Sequence, residues 1–440
     1  MVRFRAIQER LRLSLWFIPA LIALAAAVLA VVLLAVDRAV TSTGDAPFIY
    51  GGTPEGARSV LSTIAQSMLT FTGLVFTITM LVLQLASSQL SPRVMRTFLR
   101  DRGNQVVLGL FVATFVYTLL VQRDVRTPVD GGGGFVPGLS VWVAFALLIA
   151  SVAAFVYYID HMAHAIRAST VIANIAAETV ETIDRLYPER VARTRQDSEP
   201  LTGSELGPSE LALTSPRAGV VVAVDDDLLL ETAGEGDRRI ELIPAVGEFV
   251  PEGAPLVRLW GRWDRDAADR IREAIGLGGE RTLTQDPAFG FRQLVDIALR
   301  ALSPGTNDPT TAVQALDRIH DLLRRLALRA IPPPIRADVS GVVRVIRHGP
   351  GWDDFVRLGL DEIRLAGSSQ LQVALRIRRL LDDLLSVAPE SRLPVLRDEL
   401  MRLDDMLIRG YADGTARPAA GRPPNRAAAL VRSPRDDPAR

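Results

Sequence analysis

The chain has 440 residues, no cysteine, and 50 basic residues matched by 50 acidic ones, so its formal net charge is zero. Every basic residue is arginine. Without thiols there are no disulfides, thiolate nucleophiles or cysteine-ligated metal sites. Without lysine there is no Schiff-base chemistry, phosphate-loop lysine or lysine-tethered lipoyl or biotin group. The mean hydropathy is +0.21, which a chain with 23% charged residues reaches only by concentrating its apolar residues.

Those residues lie in the N-terminal third. Residues 13–36, 59–92, 103–122 and 131–159 contain no Asp, Glu, Lys or Arg. A membrane-crossing helix needs about 20 apolar residues. The runs therefore predict four spans, at 13–36, 59–92, 103–122 and 137–159, in a transmembrane domain covering 1–159. The first run, 24 residues after Arg3, Arg5, Arg10 and Arg12, exceeds a signal-peptide core of about 7–15 residues and reads as a retained anchor. Arginines crowd the N-terminal tail and the loop holding Arg93, Arg96, Arg100 and Arg102, while the loops at 37–58 and 123–130 balance their charges. The positive-inside rule then puts both termini and the remainder of the chain in the cytoplasm of a bacterial inner-membrane protein.

The second run carries an unusual face. Thr63, Thr70, Thr77, Gln84 and Ser91 recur every seven residues, flanked by Gln66, Gly73, Met80 and Ser87. In lipid, small and polar residues drive helix association or line water. Both readings stay open: a helix-packing seam, or the wall of a pore in a homo-oligomer admitting ions or a small ligand. No charged ring marks a selectivity filter. Pro92 is expected to end or kink this helix.

The fourth run continues as an apolar stripe through residues 160–187, predicting a helical stalk closed by Pro188. At its start, Asp160 and His164 fall on one helical face, with His161 beside them. The plain reading is a polar collar at the membrane boundary, with a proton-sensitive gate or a divalent-metal site as the alternatives. Residues 188–210 are turn-rich and read as a linker. Residues 211–262 alternate in short apolar segments broken by Gly and Pro, predicting a small β domain. "SPRAGVVVAVD" and "VGEFVPEGAPLVRL" resemble the half-repeats of a barrel-sandwich hybrid of the lipoyl/biotinyl type, though the prosthetic-group lysine has no counterpart. The acidic triplet 225–227 reads as a solvated turn. Residues 263–413 carry mostly helical periodicity, interrupted by a strand in "ADVSGVVRVIRH", and the Pro/Ala/Arg-rich tail 414–440 is expected to be disordered. The predicted fold class is thus four transmembrane helices plus a cytoplasmic α+β region with a barrel-sandwich-like β unit and a helical C-terminal module.

In the helical module, "ALSPGTNDPTTAV" predicts a capped corner. Asn307 suits a left-handed turn, Asp308 an N-cap, and Pro309 the first helical position. A small anion or ligand site formed by Ser303, Gly305, Asn307, Asp308 and Thr310 is the alternative. His320 and His348 show no evident partner. Hydrolase motifs and a dinucleotide fingerprint are missing, no nucleic-acid pattern is present, and neither an enzyme nor a cofactor is expected.

Two strings, "FTGLVFTITMLVLQLASSQLSPRVMRTFLRDRGNQVVLGLFVATFVYTLLVQR" and "RTLTQDPAFGFRQLVDIALRALSPGTNDPTTAVQALDRIHDLL", resemble the bacterial predicted membrane proteins of domain-of-unknown-function family 2254. The likeness spans roughly residues 10–410. It implies four N-terminal helices and a cytoplasmic C-terminal portion in the inner membrane, and it supplies no activity. The functional expectation is an oligomeric, channel-like conduit gated by the cytoplasmic region. A non-conducting scaffold or sensor that recruits a protein partner is the alternative.

Overall fold

The computed structural model describes residues 16–43, 52–89, 101–126, 135–165, 167–188, 211–338 and 340–412. It divides into two compact units, one ending at Thr170 and one beginning at Val171.

The first unit is a helical bundle of α1 (Phe17–Thr43), α2 (Pro54–Gln89), α3 (Arg102–Asp124) and α4 (Gly138–Ala165). All four are long and apolar enough to cross a membrane. The central helix is α3: 56% of its apolar stretch is buried, against 22% for each of the others. Small residues allow the close approach. A Cβ at Gly109 would lie 2.7 Å from Ile22 Cδ1 and 3.1 Å from Pro19 Cα, so α1 crosses directly over it. Phe111 of α3 meets Phe71 of α2 at 6.0 Å and Phe155 of α4 at 6.5 Å, between ring centroids. Thr114 and Ser151 share a buried hydroxyl contact of 3.1 Å.

Charge fastens one end of the bundle. Asp37, near the end of α1 and 8% exposed, accepts hydrogen bonds from Leu139 N at 3.0 Å, Ser140 N at 3.0 Å and Ser140 Oγ at 2.6 Å. Its carboxylate therefore satisfies amides that the start of α4 leaves unpaired, and it meets the positive end of that helix dipole. Beside it Arg38 pairs with Asp124 at 2.6 Å.

The second unit begins with α5 (Ala168–Leu186), most of which belongs to it. The expected single stalk is thus two helices, α4 ending at Ala165 and α5 starting at Ala168. Nor is α5 free-standing. Thr182 Oγ1 donates to Leu283 O at 2.9 Å, Arg185 donates to Thr284 O at 2.5 Å, and Asp184 pairs with Arg329 at 2.6 Å. Its buried stripe of Val171, Ile172, Ile175, Ala176, Thr179 and Ile183 is the apolar periodicity seen in the sequence, spent on packing within this unit.

Among the described residues eight strands follow: β1 (Leu211–Thr214), β2 (Gly219–Val224), β3 (Arg239–Leu242), β4 (Phe249–Val250), β5 (Pro255–Trp260), β6 (Ile275–Gly278), β7 (Ile335–Ala337) and β8 (Val343–Arg347). They form a five-stranded sheet in the order β1-β5-β3-β8-β7 and a three-stranded sheet in the order β4-β2-β6. Only β3 and β8 run parallel. Leu213, Val221, Ile240, Leu242, Val257 and Val345 share one core with Leu229 of α6 (Asp226–Gly234) and Ile271 of α7 (Arg265–Ala274).

Two segments differ from the sequence expectation. "AIGL" continues the helical period of α7 in sequence, but Ile275–Gly278 is strand β6, paired antiparallel with β2. The acidic triplet is not a solvated turn. Asp225 caps α6 by accepting from Leu228 N, and Asp226 binds Arg347 at 2.6 Å.

The helical module comprises α8 (Pro287–Ala301), α9 (Pro309–Ala327), α10 (Trp352–Ala366), α11 (Leu371–Val387) and α12 (Leu393–Ala412). Phe291, Leu316, Ile319, Leu323, Phe355 and Leu380 are fully buried among them. The expected linker, apart from Pro188, and the expected disordered tail lie outside the described residues.

Candidate functional site

Helix α2 spans 36 residues, about 54 Å at 1.5 Å per residue, longer than a hydrocarbon layer of about 30 Å. Its inward face consists of Ala57, Leu61, Ile64, Ala65, Met68, Val75 and Val82, all buried. The polar file lies elsewhere. Thr63, Gln66, Thr70, Gly73, Thr77 and Gln84 are all exposed, within an arc of about 80° at 100° per residue. A Cβ at Gly73 would meet nothing within 4 Å. Three hydroxyls turn back onto their own helix: Thr63 to Ser59 O at 2.8 Å, Thr70 to Gln66 O at 3.0 Å, Thr77 to Gly73 O at 2.9 Å. That leaves their methyl groups and the two glutamine amides to form the surface. Ser87 lies in α2 with its side chain outside the described residues, and Ser91 and Pro92 lie outside them altogether.

The histidine group divides in two. His164 Nδ1 lies 2.8 Å from Asp160 O and 3.5 Å from the Asp160 carboxylate, one turn back on α4. His161 takes a different partner. Its Nε2 stands 2.5 Å from Asp101 Oδ2, while Asp101 Oδ1 caps α3 by accepting from Gly103 N at 2.8 Å. Tyr157 stacks on the His161 ring at 5.4 Å. His161 therefore ties the last turns of α4 to the first turn of α3, a pairing across 60 residues that helical spacing could not disclose. Among the described residues no three such side chains are placed to hold a metal ion.

In the second unit the Ser303–Thr310 turn is a capped corner. Asn307 has φ +45°, and its Oδ1 accepts from Gln370 Nε2 at 3.1 Å. Asp308 accepts from Thr311 N at 3.1 Å and Thr311 Oγ1 at 2.6 Å, and Pro309 opens α9. The hydrogen bonds from Thr311 hold the Asp308 carboxyl below the usual carboxylate range. This carboxylate already serves the start of α9, so an incoming anion would meet like charge there. Ser303 Oγ is occupied by Arg300 O at 2.7 Å, and Gly305 has open space around it.

Sequence reasoning missed the junction just upstream. Gln285 binds both backbone groups of Val224, donating to its O at 3.0 Å and accepting from its N at 2.8 Å. Asp286, 3% exposed, caps α8 by accepting from Phe289 N and takes two hydrogen bonds from Arg281. Burial nonetheless pushes its carboxyl up. Gly247, at φ +95°, lets the preceding loop reach it, since a Cβ there would lie 2.2 Å from Asp286 Oδ2. With Thr182 and Arg185 on the carbonyls of Leu283 and Thr284, this segment joins α5, the three-stranded sheet and α8. The available signal was a second Asp-Pro pair, Asp286–Pro287, matching Asp308–Pro309 as N-cap and first helical residue.

The remaining histidines have partners too. His320 lies 2.8 Å from Asp383 and 3.0 Å from Arg376, and His348 lies 3.1 Å from Glu241.

Four helices able to cross a membrane, joined in sequence to an α+β unit, define a multi-pass membrane protein. The chain belongs to the family of predicted membrane proteins described as DUF2254, whose model matches residues 12–383. It is 37% identical over 340 residues to an uncharacterized protein of Mycobacterium bovis and to another of Mycobacterium tuberculosis. Each alignment covers 76% of this chain and 64% of the relative, so the chain spans under two thirds of their length. No solved structure matches it.

Proposed function

We propose that the protein is an oligomeric conduit of the inner membrane. In this reading copies of α2 line the path, and a cytoplasmic α+β unit, joined to α4 through α5, gates it. The observation that carries the proposal is the exposure of the α2 polar file. Gln66 lies three residues from the centre of the apolar stretch Pro54–Gln84, about 4.5 Å along the axis. An unpaired amide in hydrocarbon costs about 2–7 kcal/mol, so lipid is the wrong neighbour for this face. Water or a second copy satisfies it.

A file repeating every seven residues drifts about 20° per repeat on a straight helix, so copies meeting along it would coil left-handed. The His161–Asp101 pair, where α3 begins and α4 ends, is the natural gate element. The two small sheets, which we read as a barrel-sandwich-like module, would supply ligand sensing.

One observation favours a non-conducting scaffold or sensor instead: the three threonine hydroxyls are satisfied within α2, so the file could pack dry between copies.

Cysteine accessibility separates these readings in a naturally cysteine-free chain. With a water-filled path, Thr70→Cys and Thr77→Cys react with a charged, membrane-impermeant thiol reagent. With a dry seam both are shielded, and the conduit reading is lost.

A further inference from the structure

A pocket of about 190 Å³ opens on the bundle surface beside α2 and α3, flanked by the exposed side chains of Trp16, Phe76 and Met80, with Leu108, Thr79 and Asn104 among its walls. Apolar cavities of roughly 150 Å³ accept a single aromatic ring, so this one has room for a ring with one small substituent. Most of the lining is apolar, and its polar residues are Thr79, Asn104 and Gln105, of which Gln105 is buried with a partner of its own. The Thr79 hydroxyl is already engaged with Val75 O at 2.8 Å and Tyr158 OH at 2.9 Å. Asn104 is different: it is 6% exposed, its amide nitrogen points to Met162 Sδ at 3.9 Å, and its carbonyl oxygen has no hydrogen-bond partner among the described residues. A buried acceptor left unpaired is costly. Asn104 lines the pocket and its terminal torsion is soft, so the oxygen is free to turn toward a donor placed there.

We propose that this cavity binds an apolar alcohol or phenol of about one ring, partitioned from the bilayer. Its body lies against Trp16, Phe76, Met80 and Leu108, and its hydroxyl donates to the Asn104 carbonyl. The site belongs to the bundle of one chain, with Met80 shared between it and the file that flanks the α2 threonines.

The test is photolabelling of the full-length protein in lipid vesicles with a diazirine-bearing benzyl alcohol. Adducts are mapped by mass spectrometry, and unlabelled benzyl alcohol and toluene compete at matched concentrations in the membrane. Adducts should concentrate on Phe76, Met80 and Leu108. Benzyl alcohol should compete about five- to tenfold better than toluene, the worth of one hydrogen bond. Asn104→Leu should erase that preference while keeping the adducts, and Met80→Trp should fill the space and remove them. The wild-type competition ratio stands even if a variant fails to fold. Adducts spread equally over exposed apolar residues away from the pocket, such as Val28 and Val156, or equal competition by toluene, would overturn the proposal. So would acetophenone competing as well as the alcohol, since a ketone cannot donate.

Discussion

Replacing Asp37 by leucine isolates what a buried carboxylate does at the end of a membrane helix. The substitution removes the acceptor of three hydrogen bonds from Leu139 and Ser140, at 3.0, 3.0 and 2.6 Å. Losing an N-cap costs about 0.5–2 kcal/mol, and each buried donor left unpaired adds about 1–3 kcal/mol. Against this, leucine no longer requires a charge to be desolvated. The net expectation is a loss of about 3 kcal/mol. Asp37→Asn keeps one acceptor oxygen and should lose about half as much. The neighbouring Arg38→Ala is the control. That arginine is 57% exposed in its pair with Asp124, and such pairs contribute at most about 1 kcal/mol. Unfolding of the detergent-solubilised protein by increasing sodium dodecyl sulfate, followed by near-ultraviolet circular dichroism, gives the three values. An Asp37→Leu protein as stable as the Arg38→Ala protein would refute the reasoning, and with it the capping role of Asp37.

Three further outcomes are expected in the second unit, each read from denaturant unfolding of the whole chain. A Cβ at Gly290 would lie 1.9 Å from Thr179 Oγ1, so Gly290→Ala should destabilise by about 1–3 kcal/mol, partly restored by adding Thr179→Gly; no loss would mean that α5 does not pack there. Gln285→Leu leaves both backbone groups of Val224 without their partner and should cost about 2 kcal/mol, whereas Gln285→Glu, which keeps an acceptor, should cost less. Asp308→Ala should cost about 1 kcal/mol at neutral pH. Because the Asp308 carboxyl is held below its ordinary range, its contribution is present above about pH 4, the unfolded value, and is lost as pH falls through the lower folded one. The gap between wild type and Asp308→Ala should therefore close in acid, and a gap independent of pH would contradict the cap.

What could be read from sequence was whatever is local. Charge-free runs disclosed the four long helices because a bilayer-sized apolar stretch is rare otherwise. The Asn307-Asp308-Pro309 string disclosed the start of α9 because turn, cap and first-turn preferences act within a few residues. Partners distant in the chain stayed hidden. Asp37 reads as an ordinary loop charge until the start of α4 arrives 102 residues later, and His161 reads as half of a histidine pair until Asp101 claims it. Gln285 carries no signal for its bonds to Val224. Strand β6 was masked because Ile275 and Leu277 fit the period of α7, and only pairing with β2 turns them into strand. The α2 file was legible as a pattern, and its exposure was not, since periodicity reports a face without saying what covers it.

If the α2 file meets water along a path through an assembly, the protein conducts. Current across a planar bilayer containing the purified, reconstituted protein tests it most directly, with Thr77→Leu measured beside wild type. The conduit account predicts discrete conductance steps that shrink or vanish in Thr77→Leu. A bilayer that stays silent across pH and salt, with the protein verified as an oligomer, would contradict it and leave the face as a dry seam between copies.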